Sequence, residues 1–319
     1  MARRHIMEFE RPLFELEAKL AELLRLDLSG NPELLLEVSA LGEEIERLRI
    51  ETYSHLDAWD RVQIARHPER PKTELYLGLL FTDVIEIHGD RTYGDDEAIF
   101  AGFASIGGRK VVVLGHRKGT DTKSNVRRNF GSPHPEGYRK AMRAMRLADK
   151  FGLPIVSFLD TAGAYPGIEA EERGQALAIA ESLALLSGVK VPVVVVGIGE
   201  GGSGGALAIG FGDRLIMLEN AYYSVISPEM CSNILYKDPA QARTAAQQLK
   251  LTAGDLVEMG IADEVVVEPF GGAHRDPAAV VADVGSAVER ALAEVSALGE
   301  AEMLARRQAR LSSIGAYGD

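Results

Sequence analysis

The sequence GEGGSGG, residues 199–205, follows the apolar run VPVVVVGI (191–198) and precedes ALAIGFG (206–212), a run of small and apolar residues. Five of its seven residues are glycine, which weakens regular elements and tolerates sharp bends. The pattern predicts a buried strand, a tight glycine loop and a short helix, in that order. Because the first amides of a helix lack intrahelical acceptors, this loop is a candidate cradle for an oxyanion or a phosphate.

Strand-like and helix-like runs alternate on both sides of this loop. The predicted strands are 111–116, 154–160, 191–198, 213–219 and 222–226, and the predicted helices are 136–151, 170–188 and 206–212. Such alternation is typical of an α/β layered fold with parallel strand pairing.

A second irregular segment, DTAGAYPG (160–167), follows the predicted strand 154–160. It lies about 40 residues before the glycine loop. The loops that follow parallel strands gather at the carboxyl edge of the sheet, where ligands bind. We therefore expect the two segments to lie together, and their amides to hold one oxyanion between them.

Leucine-rich runs near both ends of the chain predict helices outside the α/β region. Apolar residues recur at helical spacing over 13–54, and SGNP (29–32) interrupts them, which predicts an antiparallel helical hairpin. The run 277–313 is also predicted to be helical. We divide the chain into an N-terminal helical hairpin (1–60), a core (61–275) and a C-terminal helical extension (276–319). The hairpin must cover its apolar stripe, either on the core or on another subunit.

The composition, 46% hydrophobic and 26% charged, is that of an ordinary globular protein. No apolar run is long enough to cross a membrane, and the start, MARRHIMEFE, lacks the apolar region of a signal peptide. We therefore expect a cytoplasmic protein without membrane contact. The net charge of −12 disfavours general nucleic-acid binding. One cysteine, Cys231, and histidines without ligand spacing predict no metal site in this chain.

One segment of this acidic chain is strongly basic. Residues 109–150 carry twelve Lys and Arg against three Asp and Glu. Arg139, Arg143, Arg146 and Lys150 recur at helical spacing, which predicts one basic helix face. We interpret the segment as a binding surface for an anionic ligand or an acidic partner protein. Its candidate residues are Lys118, Lys123, Arg127, Arg128, Arg139 and Arg143.

Two other motifs overlap the glycine loop. Residues 197–202 fit the dinucleotide-binding pattern GxGxxG, with Glu219 as a candidate ribose ligand. Residues 201–205 fit the hydrolase pattern GxSxG, with Ser203 as nucleophile and His274 as a downstream base. Both are weak within so glycine-rich a stretch, since a serine there also serves as a small residue or a helix cap. We keep them as alternatives.

Seven motifs then stand in one order along the chain: RRNFG (127–131), PEGYRKAMR (135–143), DTAGAYPG (160–167), AEERGQ (170–175), GEGGSGGALAIG (199–210), YSVISPE (223–229) and GGAHRDP (271–277). Together with QIARHPERP (63–71) and the hairpin, they closely resemble the α subunits of bacterial acetyl-CoA carboxylase carboxyltransferases. The resemblance covers nearly the whole chain.

The resemblance implies a crotonase-like (ClpP/crotonase) fold of repeated ββα units, with the hairpin at its N-terminus. It also implies a partner β subunit that carries a zinc ribbon, in an α₂β₂ assembly, with no zinc in this chain. Further implied partners are the biotin carboxyl carrier protein and biotin carboxylase. The implied reaction moves the carboxyl group of carboxybiotin to acetyl-CoA and gives malonyl-CoA for fatty acid synthesis. The β chain would bind acetyl-CoA, and the α chain would receive carboxybiotin.

The reaction needs stabilisation of negative charge on the biotin ureido oxygen, which agrees with the candidate oxyanion cradle. We assign the amides of Gly204 and Gly205 to this oxyanion, and Gly163 and Ala164 to a second wall. The residues assigned to binding the biotin cofactor are Gly201, Gly202, Ser203, Tyr165 and Pro166. The basic segment would then bind either CoA phosphates or the carrier protein.

Three positions depart from the family pattern. Ala162, Met230 and Tyr236 stand where the family usually has Pro, Gly and Trp, and Met230 raises the expectation of an altered turn after ISPE. Two other function classes stay open. A crotonase-type hydratase or isomerase would need a carboxylate just inside the helix, where Ala206 and Leu207 stand. A non-catalytic assembly subunit would use the hairpin and the basic face only for docking.

Overall fold

The computed structural model describes residues 5–26 and 31–315 of the chain. Its α-helices are α1 (Arg11–Leu23), α2 (Pro32–Ser54), α3 (Ala58–Ala65), α4 (Thr73–Leu80), α5 (Thr122–Arg127), α6 (Pro135–Phe151), α7 (Ile168–Glu172), α8 (Gln175–Gly188), α9 (Ser203–Leu207), α10 (Pro228–Tyr236), α11 (Ala242–Gln248), α12 (Ala253–Glu258), α13 (Pro277–Ser296) and α14 (Glu300–Ser313). Its strands are β1 (Thr82–Glu86), β2 (Ile99–Ile106), β3 (Arg109–His116), β4 (Ile155–Thr161), β5 (Val193–Gly202), β6 (Arg214–Leu218), β7 (Tyr222–Ser224) and β8 (Glu264–Val266).

The strands form one mixed sheet in the order β1-β2-β3-β4-β5-β6-β8, and β7 pairs with the far end of β5. The pairs β1–β2 and β2–β3 are antiparallel, and all later pairs are parallel. Gly107 and Gly108, at φ of 53° and 76°, make the two-residue turn between β2 and β3, a conformation in which glycine is favoured. The predicted α/β fold with parallel pairing is confirmed.

The centre of the sheet is buried on both faces, since every residue of β4 and β5 is buried. Helix α6 packs on β2, β3 and α8, and α13 packs on α4, β5 and β6. Strands covered on both faces become continuous apolar runs, here Val193–Val196. Because α13 adds Val280, Val284 and Val288 to the same apolar cluster as the sheet, it belongs to the central packing. The domain divisions at 60 and 276 stay a prediction.

The N-terminal helices form a hairpin with its own small apolar cluster, in which Leu13 contacts residues such as Leu41 and Ile45. The predicted turn at 29–32 lies partly outside the described residues. Asn31 accepts a hydrogen bond from Leu34 N at 3.1 Å and caps α2. The hairpin docks on the core, where the ring of Tyr53 stacks on that of Phe270.

The glycine segment is not a separate loop, and this part of the prediction was wrong. Strand β5 continues through Gly202 because Glu200–Gly202 pair with β7, and α9 begins directly at Ser203. The predicted helix 206–212 therefore starts three residues earlier and ends at Leu207. The predicted helix 170–188 is divided into α7 and α8 at Gly174, whose φ is 82°.

Among the helices of the described residues, none combines the length and the apolar character that crossing a membrane requires. A cytoplasmic location stays a prediction.

Candidate active site

The two glycine segments meet at the carboxyl ends of β4 and β5, as predicted. A Cβ atom added to Gly205 would lie 2.5 Å from the carbonyl carbon of Gly163 and would overlap the amide nitrogen of Ala164. A Cβ on Gly202 would lie 3.0 Å from Gly163 N and would overlap the carbonyl of Ala162. Backbone approach this close leaves no space for any side chain. The glycines at 202 and 205 therefore serve contact between the two segments.

The amides of the second segment have different partners. Gly163 N donates to Thr161 Oγ1 at 3.1 Å, and Tyr165 N donates to Pro133 O at 3.0 Å. Within the described part of the chain, Ala164 N has no hydrogen-bond acceptor. Gly163, at φ of 152°, supplies the turn that presents this amide. Of the two residues assigned to the second wall, Ala164 therefore offers the donor.

The first segment presents the amides of the first turn of α9. Gly204 is half-buried and Gly205 is buried. A helix leaves its first amides without intrahelical acceptors, and those of Gly204 and Gly205 stand in this position. Gly205 packs directly on Ala164, since a Cβ added to Gly205 would overlap the Ala164 amide nitrogen. Backbone from two strand ends thus meets here, and backbone amides are the donors from which oxyanion sites are built.

The residues assigned to biotin binding surround these donors in different ways. Gly201 and Gly202 lie inside β5 and pair with Tyr223 and Ser224 of β7. Ser203 is exposed and joins β5 to α9 at φ of 53°. The ring of Tyr165 stacks on that of His134 with centroids 4.2 Å apart, and Pro166 is exposed next to it. Tyr165 and Pro166 thus offer a rigid apolar surface beside the backbone donors.

A cluster of buried charges lies under the site. Lys118 Nζ lies 2.7 Å from Asp160 Oδ1 and 3.1 Å from Glu200 Oε1, and Glu200 N donates to Asp160 Oδ1 at 3.1 Å. Burial opposes the charge on Lys118, but the two carboxylates raise its pKa above the ordinary value. The cluster holds the ends of β4 and β5 together. Lys118 is thus engaged by two carboxylates within the protein.

The same cluster reaches a surface helix through Arg66. Arg66 Nε lies 3.4 Å from Glu200 Oε2, and its NH1 is hydrogen-bonded to Glu229 in the first turn of α10. Tyr222 OH donates to Glu200 Oε2 at 2.9 Å. Sequence reasoning missed these residues. In the sequence, Asp160 ends a predicted strand and Glu200 lies in the glycine segment, but neither position indicates an ion pair.

The other basic candidates are partly neutralised by acidic neighbours. Arg127 pairs with Glu97 at 2.7 Å, and Arg128 pairs with Glu74. Arg139 lies 3.5 Å from Asp90.

On the same face of α6, Arg143 donates to the carbonyls of His88 and Gly89. Lys123 is exposed on α5. Arg139 and Arg143 of the predicted basic face therefore contact the segment 88–97, whereas Arg146 and Lys150 are exposed, and ligand binding by the candidate residues stays a prediction.

The residues that the hydrolase and dinucleotide-binding alternatives would use, His274 and Glu219, contact other side chains or backbone of the protein. The ring of His274 stacks on that of His67 at 3.7 Å. Glu219 pairs with Arg61 at 3.4 Å and accepts a hydrogen bond from Glu268 N at 3.1 Å. A search of the described residues for three or more metal-ligating side chains in one place found none.

Two of the family departures have a structural account. Met230 lies in the first turn of α10, where its amide donates to Ser227 Oγ at 3.3 Å, and a helical position accepts methionine more readily than glycine. ISPE opens this helix, and a difference from the family at this point stays a prediction. Tyr236 ends the same helix and donates to Gln248 Oε1 at 2.5 Å. The side chain of Ala162 is exposed, and nothing in the structure explains its choice over proline.

Comparison of the sequence with known families matches one family over residues 6–315, described as "Acetyl co-enzyme A carboxylase carboxyltransferase-like". A relative from Listeria innocua is 50% identical over 311 residues, covering 98% of each chain. One from Thermus thermophilus is 51% identical, covering 98% of this chain and 99% of its own. Another from Rubrobacter xylanophilus is 54% identical, covering 98% and 97%. All three are called "Acetyl-coenzyme A carboxylase carboxyl transferase subunit alpha".

Solved structures with the same fold include a transcarboxylase, a decarboxylase and a carboxylase subunit. A transcarboxylase 12S structure aligns with a TM-score of 0.57 at 20% identity, over 75% of this chain and 44% of its own. A Pseudomonas malonate decarboxylase hetero-tetramer aligns with a TM-score of 0.57 at 17% identity, over 69% and 89%. The geranyl-CoA carboxylase β subunit of P. aeruginosa aligns with a TM-score of 0.54 at 15% identity, over 83% and 48%. These likenesses confirm the predicted crotonase-like fold.

Proposed function

The chain belongs to the acetyl-coenzyme A carboxylase carboxyltransferase family and acts in carboxyl transfer as its α subunit, and we propose that its own contribution is a backbone cradle for carboxybiotin. The cradle consists of the amides of Gly204, Gly205 and Ala164. The observation that supports the proposal is the packing of Gly205 directly on Gly163 and Ala164, two backbone segments that follow different strands.

Carboxybiotin, when bound, supplies the carboxyl group and leaves negative charge on its ureido oxygen. The amides of Gly205 and Ala164 would donate to that oxygen, and the short α9 adds its N-terminal partial charge. Glycine at 202 and 205 lets the two segments pack backbone to backbone, because a Cβ at either position would overlap the other segment. The flat surface of Tyr165 beside the donors suits the ring system of biotin.

The residues that follow the cradle favour carboxyl transfer over hydration. Helix α9 continues with Ala206 and Leu207 and presents no carboxylate or imidazole in this turn. A hydratase of this fold would need a side-chain acid or base there. The chain offers donors for a developing anion instead, which is the requirement of carboxyl transfer.

The chain works together with a partner subunit, because its relatives are each the α subunit of a carboxyltransferase. We infer that this partner is a β subunit that binds acetyl-CoA, carries the zinc ribbon and forms an α₂β₂ complex with this chain. Biotin would arrive on a carboxyl carrier protein loaded by biotin carboxylase. The product, malonyl-CoA, would serve fatty acid synthesis.

The reverse reaction tests the assignment of the reaction. The chain, co-expressed with its partner subunit, receives malonyl-CoA and biocytin, and release of acetyl-CoA is followed. We expect turnover that needs both chains. A folded complex without turnover would contradict the assignment.

A pair of matched variants tests the cradle. Gly204→Ala places a methyl group 3.6 Å from Ile179 Cγ2, an ordinary contact, whereas Gly205→Ala drives the same group into the Gly163–Ala164 backbone. Both variants keep every backbone N–H, but Gly205→Ala must move the two segments apart. We expect Gly205→Ala to lower kcat by about 10²–10³-fold, an effect as large as losing an oxyanion donor, with little change in KM for malonyl-CoA. Gly204→Ala should keep kcat within about threefold, since it leaves the donors in place. Equal activity of the two assembled variants would contradict the cradle.

A further inference from the structure

The carbonyl of Gly205 accepts no hydrogen bond from the amides that follow α9. The amide of Ala208 donates to Gly204 O at 3.0 Å, and the next amide, that of Ile209, donates to Ala206 O at 3.3 Å. The Gly205 carbonyl between them must find its donors elsewhere, because a buried carbonyl without a donor is costly.

Two side chains from separate elements supply these donors. His116 Nε2, at the end of β3, and Tyr138 OH, in α6, each lie 3.2 Å from Gly205 O. Both side chains are completely buried. In the described part of the structure, neither side chain is hydrogen-bonded to the segment 160–167, and the acceptor that they share is the Gly205 carbonyl.

Both groups act as donors throughout the physiological pH range. Burial lowers the pKa of His116 to about 4 and raises that of Tyr138 well above its ordinary value. His116 is therefore a neutral imidazole, and a hydrogen on Nε2 leaves Nδ1 without one. Among the described residues, His116 Nδ1 has no hydrogen-bond partner. The hydrogen bond of this buried ring within normal distance is the one from Nε2 to Gly205 O.

We propose that His116 and Tyr138 are positioning residues that hold the backbone of Gly205, through its carbonyl, in place against Ala164. This inference rests on the proposed cradle. Glycine is the residue with the greatest backbone freedom, and α9 is too short to fix its own first turn. Two donors from β3 and α6 fix the carbonyl side of Gly205, and the Gly163–Ala164 backbone limits its other side.

A purely structural role would also satisfy this carbonyl, so the experiment needs a matched control. Ser182 Oγ donates to Ala208 O at 2.5 Å from a fully buried position. Ser182→Ala removes the same kind of bond, from a side chain to a carbonyl of the same backbone stretch, three residues beyond Gly205. It does not touch the amides of the cradle.

The test uses the complex with the partner subunit and the reverse reaction with malonyl-CoA and biocytin. The variants are Tyr138→Phe, His116→Met, the double variant and His116→Gln, whose amide restores a donor near the Nε2 position. We expect each single loss to lower kcat by about tenfold and the double loss by about 10²-fold, the cost of misplacing a catalytic group by about 1 Å. His116→Gln should recover most of the activity, and KM for malonyl-CoA should stay nearly constant.

The outcomes distinguish a failure of the positioning role from a failure of the proposed cradle. A loss of kcat in the double variant but not in Ser182→Ala supports positioning. An assembled double variant with undiminished kcat, or an equal loss in Ser182→Ala, overturns it. Where the double variant does not assemble, Tyr138→Phe carries the same test. If Gly205→Ala lowers kcat and these variants do not, only the positioning role fails; if Gly205→Ala is also fully active, the cradle fails.

Discussion

Replacement of Arg70 by methionine tests the buried ion pair between Arg70 and Glu268, which lies beside β5. Arg70 NH1 and NH2 donate to the two oxygens of Glu268 at 2.8 and 2.6 Å, with 3% and 0% of the side chains exposed. Arg70 Nε also donates to Ile198 O in β5 at 2.7 Å. Methionine retains much of the apolar stem and removes the guanidinium.

The expected cost follows from what remains. Glu268 keeps two backbone donors, Asn220 N at 3.0 Å and Ala273 N at 2.6 Å, but loses its counter-charge. Removing one partner of a buried pair costs about 3–5 kcal/mol, and these two donors favour the lower end. At about 2–4 °C per kcal/mol for a chain near this size, we expect Tm to fall by about 6–12 °C.

The pH dependence identifies the cause. In the native chain burial raises the pKa of Glu268, but the charge of Arg70 outweighs it, so the pKa is lowered. The stabilisation is therefore complete above the ordinary carboxyl pKa of about 4.3 and is lost as the pH falls through the lowered value. In Arg70→Met, burial alone raises the pKa of Glu268, so the carboxyl becomes neutral at a higher pH. The stability difference between the two proteins should shrink from pH 7.5 to pH 5.

Thermal unfolding at several pH values measures this difference. The control is the double variant Arg70→Met with Glu268→Gln, which removes the unpaired charge and should recover part of the lost stability. If the free energy of unfolding of Arg70→Met at pH 7.5 lies within about 1 kcal/mol of the native value, the reasoning is refuted, because it derives the cost from the burial of the ion pair. A stability difference that does not change with pH would do the same.

Two further variants test other contacts. Lys118→Met leaves Asp160 and Glu200 buried without their shared cation, so we expect a loss of about 3–5 kcal/mol in thermal unfolding; retention of native stability would mean that the carboxylates do not depend on Lys118. Met230→Gly should destabilise the chain by about 0.5–1 kcal/mol, because this exposed position is helical. Met230→Ala should be nearly neutral there, and greater stability of the glycine variant would show that α10 does not begin as described.

Much of the architecture was predictable because its signals are local. Four valines at 193–196, between Pro192 and Gly197, favour a covered strand. The alternation of such runs with helical periodicity indicates parallel pairing. The two glycine segments follow successive strands of this kind, so their meeting at one edge was also predictable. The family was evident because its motifs keep one order along the chain.

The errors concern places where distant segments decide the local structure. GEGGSGG resembles a loop by composition, but pairing with β7, about 20 residues later, extends the strand through Gly202. The amide of Gly163 was assigned to the oxyanion from its position, whereas Thr161 Oγ1 accepts its hydrogen. No periodicity shows either contact.

Charge and hydrogen-bond partners were decided only by the tertiary structure. Lys118 belongs to a basic stretch in the sequence, yet folding places it between carboxylates 42 and 82 residues further along the chain, Asp160 and Glu200. Tyr138 belongs to the motif PEGYRKAMR and His116 ends a predicted strand, but no sequence pattern indicated a role for either residue, and they meet at Gly205 because β3 and α6 pack beside the first turn of α9. Sequence patterns record the preference of each segment for strand, helix or turn, which depends on near neighbours. Burial, counter-charge and donor geometry depend on which segments fold against each other, and in this protein they determine how the site is held.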